Sequence, residues 1–164
     1  MAVLDVLVYP DARLKQPSAP VTRFDAELRN FIADLEETMR AGPGSVGIAA
    51  PQVNRLLRIV IIDVSCKPNI PQHGCLRLIN PEIVQHLGQV KGREGCMSVP
   101  DFTGSVMRAQ SVRVRAQDKQ GQWREIDCEG YEARAVQHEI DHLDGLLFLD
   151  RVVSARHDLF RRRS

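Results

Sequence analysis

Long apolar runs are missing from this sequence of 164 residues. No stretch approaches the roughly 20 consecutive apolar residues that a membrane-spanning helix needs. The opening segment, MAVLDVLVYPDARLK, has no positive region before its short apolar run and no small-residue cleavage site, so a secretory leader is not expected. The sequence therefore predicts a cytoplasmic protein with no membrane partner.

A large net charge is missing as well. The 22 Lys and Arg residues nearly balance the 21 Asp and Glu residues, leaving a net charge of +1, so we predict no sequence-specific binding of nucleic acid. The exception is the segment 151–164, where five arginines stand against one aspartate. These residues are Arg151, Arg156, Arg161, Arg162 and Arg163, against Asp158. We therefore divide the chain into a catalytic domain at 1–150 and a basic C-terminal tail at 151–164.

Regular cysteine spacing, internal repeats and linker-like segments are also absent. The four cysteines, at positions 66, 75, 96 and 128, are spaced irregularly, which favours free thiols or metal ligands over a disulfide framework. The hydrophobic fraction of 43% and the charged fraction of 26% are those of an ordinary globular protein. A single compact domain with its own core is the expectation.

Hydrophobic periodicity predicts two helices and several strands. One helix is expected near residues 24–39, with Thr22 as its N-cap, and a second near 132–143, ending at Gly145. Strands are expected at 58–64, at 76–80 with a stop at Pro81, and in a hairpin formed by 111–116 and 123–128. Because helices and strands do not alternate regularly, the order favours an α+β fold over a doubly wound parallel sheet.

The strongest chemical signal is the segment HEIDH at 138–142. On a helix, His138 and His142 lie one turn apart on the same face, so both imidazoles can reach one metal ion. Glu139 projects beside such an ion, where a carboxylate can take up and return a proton. The alternative is two core histidines with an incidental glutamate, since the pattern is short.

Cys96 is a candidate for a third ligand. It lies in the segment EGCMS at 94–98, between strand-like segments. One thiolate with two imidazoles leaves a fourth position open, which is typical of a catalytic metal. A buried, unreactive cysteine is the alternative, because sequence separation from His138 says nothing about distance in space.

A third segment, VGIAAPQ at 46–52, combines small residues with a glutamine. The small residues, among them Gly47, allow the backbone to approach a ligand closely, and the Gln52 amide can donate to a developing oxyanion. Taken alone, glycine and alanine before a proline more often indicate a tight turn, and an isolated glutamine is usually only polar surface.

In combination and in this order, the three segments resemble the signature segments of peptide deformylases. The last of these matches in full, as QHEIDHLDG from Gln137 to Gly145, and the likeness extends from about residue 5 to about residue 150. The resemblance implies an α+β fold with mixed or antiparallel strands around a central motif helix. It also implies hydrolysis of the N-formyl group from the initiator formyl-methionine of nascent polypeptides, with release of formate.

The resemblance further implies a role for each matching position. Cys96, His138 and His142 would bind one divalent ion per chain, with Fe²⁺ implied and Zn²⁺, Ni²⁺ or Co²⁺ also compatible with these ligands. Glu139 would be the general base and then the acid. Gln52 and the backbone N–H of Met97 would form the oxyanion hole. The loop at Gly47 and Ile48 would line the pocket, and Gln137 and Asp141 would hold ligands in place.

Three positions depart from the family pattern: Ser45, Met97 and Asp101 occupy sites where glycine, leucine and glycine are frequent. None removes a reactive group, although Asp101 predicts extra negative charge at the entrance to the site.

Two other functions are consistent with parts of the pattern. A metallopeptidase also uses a His-Glu-x-x-His helix, but its usual downstream ligand could here come only from His157. The second alternative is a catalytically silent protein that associates with the ribosome. The complete set of reactive residues argues against it. In the basic tail, Leu159 and Phe160 could anchor a short helix on the body and leave Arg161, Arg162 and Arg163 exposed. The tail is then either a solvated, frayed terminus or a contact to ribosomal RNA phosphates through these arginines.

Overall fold

The structure is a computed structural model that describes residues 2–152 and 154–162. Three helices and eight strands make up these residues, together with short 3-10 turns. The helices are α1 (Ala26–Ala41), α2 (Gly130–Leu143) and α3 (Ala155–Asp158). The strands are β1 (Gly47–Ala49), β2 (Ile59–Asp63), β3 (Cys75–Leu87), β4 (Val90–Cys96), β5 (Val99–Arg108), β6 (Ser111–Gln117), β7 (Trp123–Glu129) and β8 (Leu159–Arg161).

Two antiparallel sheets flank the helix that carries the HEIDH segment. Five strands form one sheet in the order β1-β2-β3-β6-β7, and three form the other in the order β4-β5-β8. Helix α2 packs on β1 and β2, and the hairpin β4–β5 brings Cys96 to its other side. The predicted α+β fold, a single compact domain with antiparallel strands around the motif helix, is confirmed. Within the described residues, no helix is long and apolar enough to cross a membrane.

Strand β2 explains the continuous apolar run in the sequence. Its residues alternate between two cores: Ile59 and Ile61 pack with α1, whereas Val60 and Ile62 pack with α2. All four side chains are fully buried. A strand covered on both faces has no solvated side, so its sequence reads as uninterrupted hydrophobic residues. This buried strand supports the helix that carries the two histidines.

Two predicted boundaries are wrong. Helix α1 is capped by Asp25, whose side chain accepts from the Leu28 N–H, rather than by Thr22. Strand β3 does not stop at Pro81 but continues to Leu87 through a register shift between Ile79 and Glu82. A proline is tolerated at a bulge because no ladder hydrogen bond is needed from its nitrogen.

The C-terminal segment also differs from the expectation. Leu159 and Phe160 do not anchor a helix; they follow the short helix α3 and lie in β8, which pairs with Phe102, Thr103 and Gly104 of β5. Arg163, part of the predicted basic cluster, lies outside the described residues. The division into a catalytic domain at 1–150 and a tail at 151–164 stays a prediction.

Candidate functional site

The two motif histidines lie side by side on α2. Their ring centroids are 5.2 Å apart, and both side chains are buried. The opposite side of the helix carries Val136, Ile140 and Leu143 into the core with β2. The predicted division of this helix into a core face and a site face is therefore present.

Cys96 reaches the same point from the small sheet. It is the last residue of β4, just before the turn into β5, and its Sγ lies 3.4 Å from Nε2 of His142. The ligand atoms of Cys96, His138 and His142 all lie within 4.8 Å of one another. Bonds of about 2.0–2.3 Å to a tetrahedral ion place ligand atoms roughly 3.3–3.8 Å apart. The three donors are thus close enough to share one ion.

Glu94 holds one of these histidines in place, and sequence reasoning missed its role. Its Oε1 lies 2.8 Å from Nδ1 of His138, which leaves Nε2 facing the cluster. Arg108 and Arg134 donate to the same carboxylate at 2.9 and 2.7 Å. Burial alone would raise the pKa of Glu94, but the hydrogen bonds from Arg108 and His138 lower it well below its usual range. Glu94 lies within the EGCMS segment, yet only the fold reveals that it faces α2.

Gln137 and Asp141 support the site less directly than predicted. Asp141 accepts from Arg108 at 2.6 Å and from Arg151 at 2.8 Å, so it reaches His138 only through Arg108 and Glu94. Gln137 accepts from the Ala109 N–H at 2.9 Å and donates to the Ala109 carbonyl at 3.0 Å. Gln137 therefore fixes α2 against the β5–β6 connection, and its side chain makes no hydrogen bond to Cys96, His138 or His142.

Glu139 lies beside the cluster with an unused oxygen. Its Oε2 is 4.0 Å from Nε2 of His138, and its Oε1 is buried without a hydrogen-bond partner among the described residues. Burial raises the pKa of Glu139 to about 7. The carboxyl group is therefore free on one side and close to the balance between its charged and neutral forms near neutral pH.

Gln52 points its amide nitrogen at the cluster. Its Oε1 accepts from the Ala49 N–H at 2.9 Å, which orients Nε2 towards Ser98 Oγ at 3.0 Å and Cys96 Sγ at 3.5 Å. The side chain is almost completely buried. The amide is thus a fixed donor on the Cys96 side of the site.

Gly47 allows Glu139 to come close to the neighbouring strand. A Cβ at Gly47 would stand 2.6 Å from Oε2 of Glu139, a distance at which one of the two must move. The absence of a side chain at this position of β1 therefore makes room for the Glu139 carboxylate, whereas the sequence predicted close approach of the backbone to a ligand.

A cavity of about 480 Å³ gives access to these groups. Cys96, His138 and Glu139 line it, together with Gly47 of β1 and Met97 of the β4–β5 turn. The structure thus brings the sequence-predicted residues Gly47, Gln52, Cys96, Met97, His138, Glu139 and His142 to one place.

A second set of donor atoms, in His73, Cys128 and Glu132, lines a separate cavity of about 580 Å³. The buried Glu132 carboxylate is already satisfied, since it accepts from the His73 N–H at 2.7 Å and lies 2.6 Å from His73 Nδ1. Burial raises the pKa of the Cys128 thiol to about 12, so this sulfur stays neutral. The set is best explained as a closed hydrogen-bond cluster that fixes the start of α2.

The sequence of this chain is similar to those of proteins from a single family. A sequence model of the family described as Polypeptide deformylase matches residues 3–158. The peptide deformylase of Acidobacterium capsulatum is 45% identical over 163 residues, which cover 99% of this chain and 94% of that protein. That of Symbiobacterium thermophilum is 45% identical over 159 residues, covering 95% of this chain and 70% of that protein.

Structural comparison gives the same result. A crystal structure of a peptide deformylase from Legionella pneumophila superposes with a TM-score of 0.86 at 39% identity, covering 94% of this chain and 89% of that one. The class I type b peptide deformylase of Acinetobacter baumannii with Met-Ala-Ser bound superposes with a TM-score of 0.84 at 37% identity, covering 92% and 99%. Similarity in sequence and in fold thus extends over nearly the whole chain.

Proposed function

This chain belongs to the peptide deformylase family, and we propose that Cys96, His138 and His142 hold the metal ion with which it removes the formyl group from peptides. The enzyme is a metal-dependent hydrolase, as the family is. The observation that carries the site assignment is the convergence of one thiol and two imidazoles within 4.8 Å, beside a carboxylate with a free oxygen.

The residues present fit a catalytic divalent ion. One sulfur and two nitrogens leave part of a tetrahedral shell open for water and substrate. Glu94 accepts a hydrogen bond from Nδ1 of His138 and so leaves Nε2 free to bind the ion. A carboxylate in this position orients the histidine ligand in many metal enzymes. When bound, the ion lowers the pKa of water and polarises the formyl oxygen.

The protein groups supply the proton transfers and the oxyanion contacts. Glu139 accepts a proton from the attacking water and returns one to the leaving nitrogen, so that formate and a free amine result. The Gln52 amide and the Met97 N–H donate to the oxygen that gains negative charge. Gly47 lets β1 lie close to Glu139, and both residues line the cavity that a formylated peptide would enter.

For the identity of the ion, we propose Fe²⁺. The donor set is equally suited to Zn²⁺, Ni²⁺ or Co²⁺, so the test is preparation without oxygen followed by elemental analysis and activity measurement. Iron as the native ion predicts one equivalent per chain and a loss of activity in air, through oxidation of the iron or of the Cys96 thiolate. Full activity with zinc and none with iron would contradict this assignment.

The proposed substrate is the N-formylmethionyl end of a nascent chain. The related Acinetobacter baumannii enzyme holds Met-Ala-Ser in its structure, a peptide with the sequence of a deformylated product. Release of formate from formyl-Met-Ala-Ser, compared with acetyl-Met-Ala-Ser and unmodified Met-Ala-Ser, tests this proposal. Cleavage of the peptide bonds, with no release of formate, would favour the metallopeptidase alternative.

A cytoplasmic location and a ribosome contact complete the proposal. Arg156 and Arg161 of the tail are exposed, and basic side chains bind RNA phosphates with an affinity that falls as salt rises. Co-sedimentation with purified ribosomes at low and moderate salt, using the Arg156→Gln/Arg161→Gln variant, tests the contact. Equal sedimentation of variant and parent would remove the tail from this role.

A further inference from the structure

The mouth of the active-site cavity carries two guanidinium groups, those of Arg93 and Arg162. Arg93 comes from β4, and Arg162 directly follows β8. Nη2 of Arg162 lies 2.6 Å from the point where a Cβ of Gly95 would stand, so the guanidinium rests against the backbone next to Cys96. The guanidinium carbon of Arg93 lies 3.6 Å from the centre of the Phe160 ring. Both positive groups are therefore held at the mouth of the cavity, called the lip below.

Neither of these two charges has an acidic partner among the described residues. The other arginine of the cavity, Arg134, is paired with Glu94 at 2.7 Å. In the part of the chain that the structure describes, no carboxylate lies within ion-pairing distance of Arg93 or Arg162. The sequence suggested that Asp101 would make the entrance negative. Its backbone carbonyl accepts from the Arg162 N–H at 2.8 Å, and the two side chains form no ion pair. The lip is therefore positive.

A substrate must pass this lip. Its formyl end has to reach Cys96, His138 and Glu139 inside the cavity, so the residues that follow methionine lie nearer the mouth. A guanidinium presents a planar fork of donors that matches a carboxylate. Stacking on Phe160 and packing on Gly95 reduce the conformational freedom that such a contact would otherwise cost.

We propose that Arg93 and Arg162 form a carboxylate-binding subsite at the mouth of the active site. The enzyme then favours formyl-methionyl chains that carry Asp or Glu shortly after the first residue over neutral and basic ones. This inference rests on the proposed deformylase function and adds the chemical class of the preferred substrate.

The test uses the full-length, metal-loaded enzyme and three peptides with amidated C-termini: formyl-Met-Ala-Glu, formyl-Met-Ala-Gln and formyl-Met-Ala-Lys. Amidation removes the terminal carboxylate, which would otherwise bind the same groups. We expect kcat/KM for the Glu peptide to exceed that for the Gln peptide by about two- to tenfold, the range for one or two partly exposed ion pairs. The difference should lie in KM and should nearly vanish at about 0.5 M salt.

Variants assign the preference to the two arginines. Arg93→Gln and Arg162→Gln should each lower the Glu-to-Gln ratio, and Arg162→Glu should shift the preference towards the Lys peptide. Arg156→Gln is the matched control, because Arg156 is an exposed arginine of the same segment that does not line the cavity; its ratio should equal that of the parent.

Three results would overturn the subsite: equal kcat/KM for the Glu and Gln peptides, a ratio that both variants leave unchanged, or a preference that persists at high salt. In each of these cases the neutral peptide is still deformylated, and the proposed function stands. If no formylated peptide is hydrolysed, the proposed function fails and the subsite fails with it.

Discussion

Glu94 and Glu139 show how single residues of one type acquire different tasks from their surroundings. Both carboxylates lie next to the His138 ring: Glu94 is hydrogen-bonded to Nδ1 at 2.8 Å, and Glu139 lies 4.0 Å from Nε2. Glu94 is surrounded by guanidinium donors and stays ionised, whereas Glu139 has a free oxygen and a pKa that burial raises to about 7. One is fixed as a charged support, and the other can exchange a proton.

Replacement of Glu139 tests the second of these tasks. Glu139→Gln keeps the size of the side chain and should keep the metal, but it removes the proton acceptor. We expect kcat to fall by roughly 10²–10⁴-fold, with metal content measured on the same sample. Glu125→Gln, at an exposed carboxylate of β7, is the control. A Glu139→Gln enzyme with activity close to that of the parent would exclude Glu139 from the chemistry.

Gly47 offers a test of position rather than of chemistry. A methyl group at this residue would press on Glu139 Oε2, so Gly47→Ala should displace the carboxylate without removing it. Because small misplacements of catalytic groups cost up to about 10²-fold, we expect kcat to fall by at least about tenfold while metal content and melting temperature change little. Ser45→Ala, two residues earlier in the loop, should retain most activity. Equal activity of both variants would show that the close approach is not needed.

At the scale of elements, a buried ionic network joins α2 to the small sheet. Arg108 of β5 binds Glu94 of β4 and Asp141 of α2, and its own side chain is 3% exposed. The charges were recognisable in the sequence, but their partners were not, since the three residues are far apart along the chain. The network ties the hairpin that carries Cys96 to the helix that carries both histidines.

Loss of Arg108 should therefore be costly. Arg108→Met leaves two buried carboxylates with fewer partners, for which about 3–5 kcal/mol of stability is the usual loss. Arg113→Met is the matched control, because Arg113 also pairs with a carboxylate, Asp127, but both side chains are solvent-exposed; a much smaller loss than for Arg108→Met is expected. Urea unfolding of the metal-loaded variants measures both values. Similar losses of stability for the two variants would contradict the prediction that the buried network stabilises the protein more than an exposed ion pair does.

For the whole molecule, the sequence was sufficient for the fold class, the motif helix and the deformylase identity, each of which is confirmed. It was insufficient where a distant contact decides the local structure. Strand β3 runs through Pro81 because a bulge accommodates the ring, and Leu159 and Phe160 form a strand because β5 offers an edge. Glu94 was missed for the same reason, since its partners come from two other elements, β5 and α2.

The contacts of the C-terminal segment predict how its removal changes the stability of the protein. Arg151 binds Asp141, and β8 adds the half-buried Leu159 and Phe160 to the small sheet. A chain ending after Asp150 should lose about 2–4 kcal/mol of stability, the value for two partly buried apolar side chains and their strand. A chain ending after Arg161 keeps β8 and should stay within about 1 kcal/mol of the parent. Equal stability of the parent and the chain that ends after Asp150 would show that β8 contributes little.

The arrangement of the site along the chain also has a consequence for biosynthesis. Gln52, Cys96, His138 and Arg162 are made in that order, with more than forty residues between the first and second and again between the second and third. When Cys96 has been synthesised, neither histidine yet exists, so the thiol is without its future neighbours until α2 forms and the intervening strands β5, β6 and β7 have folded. The three proposed metal ligands can therefore come together only after His142 has been synthesised.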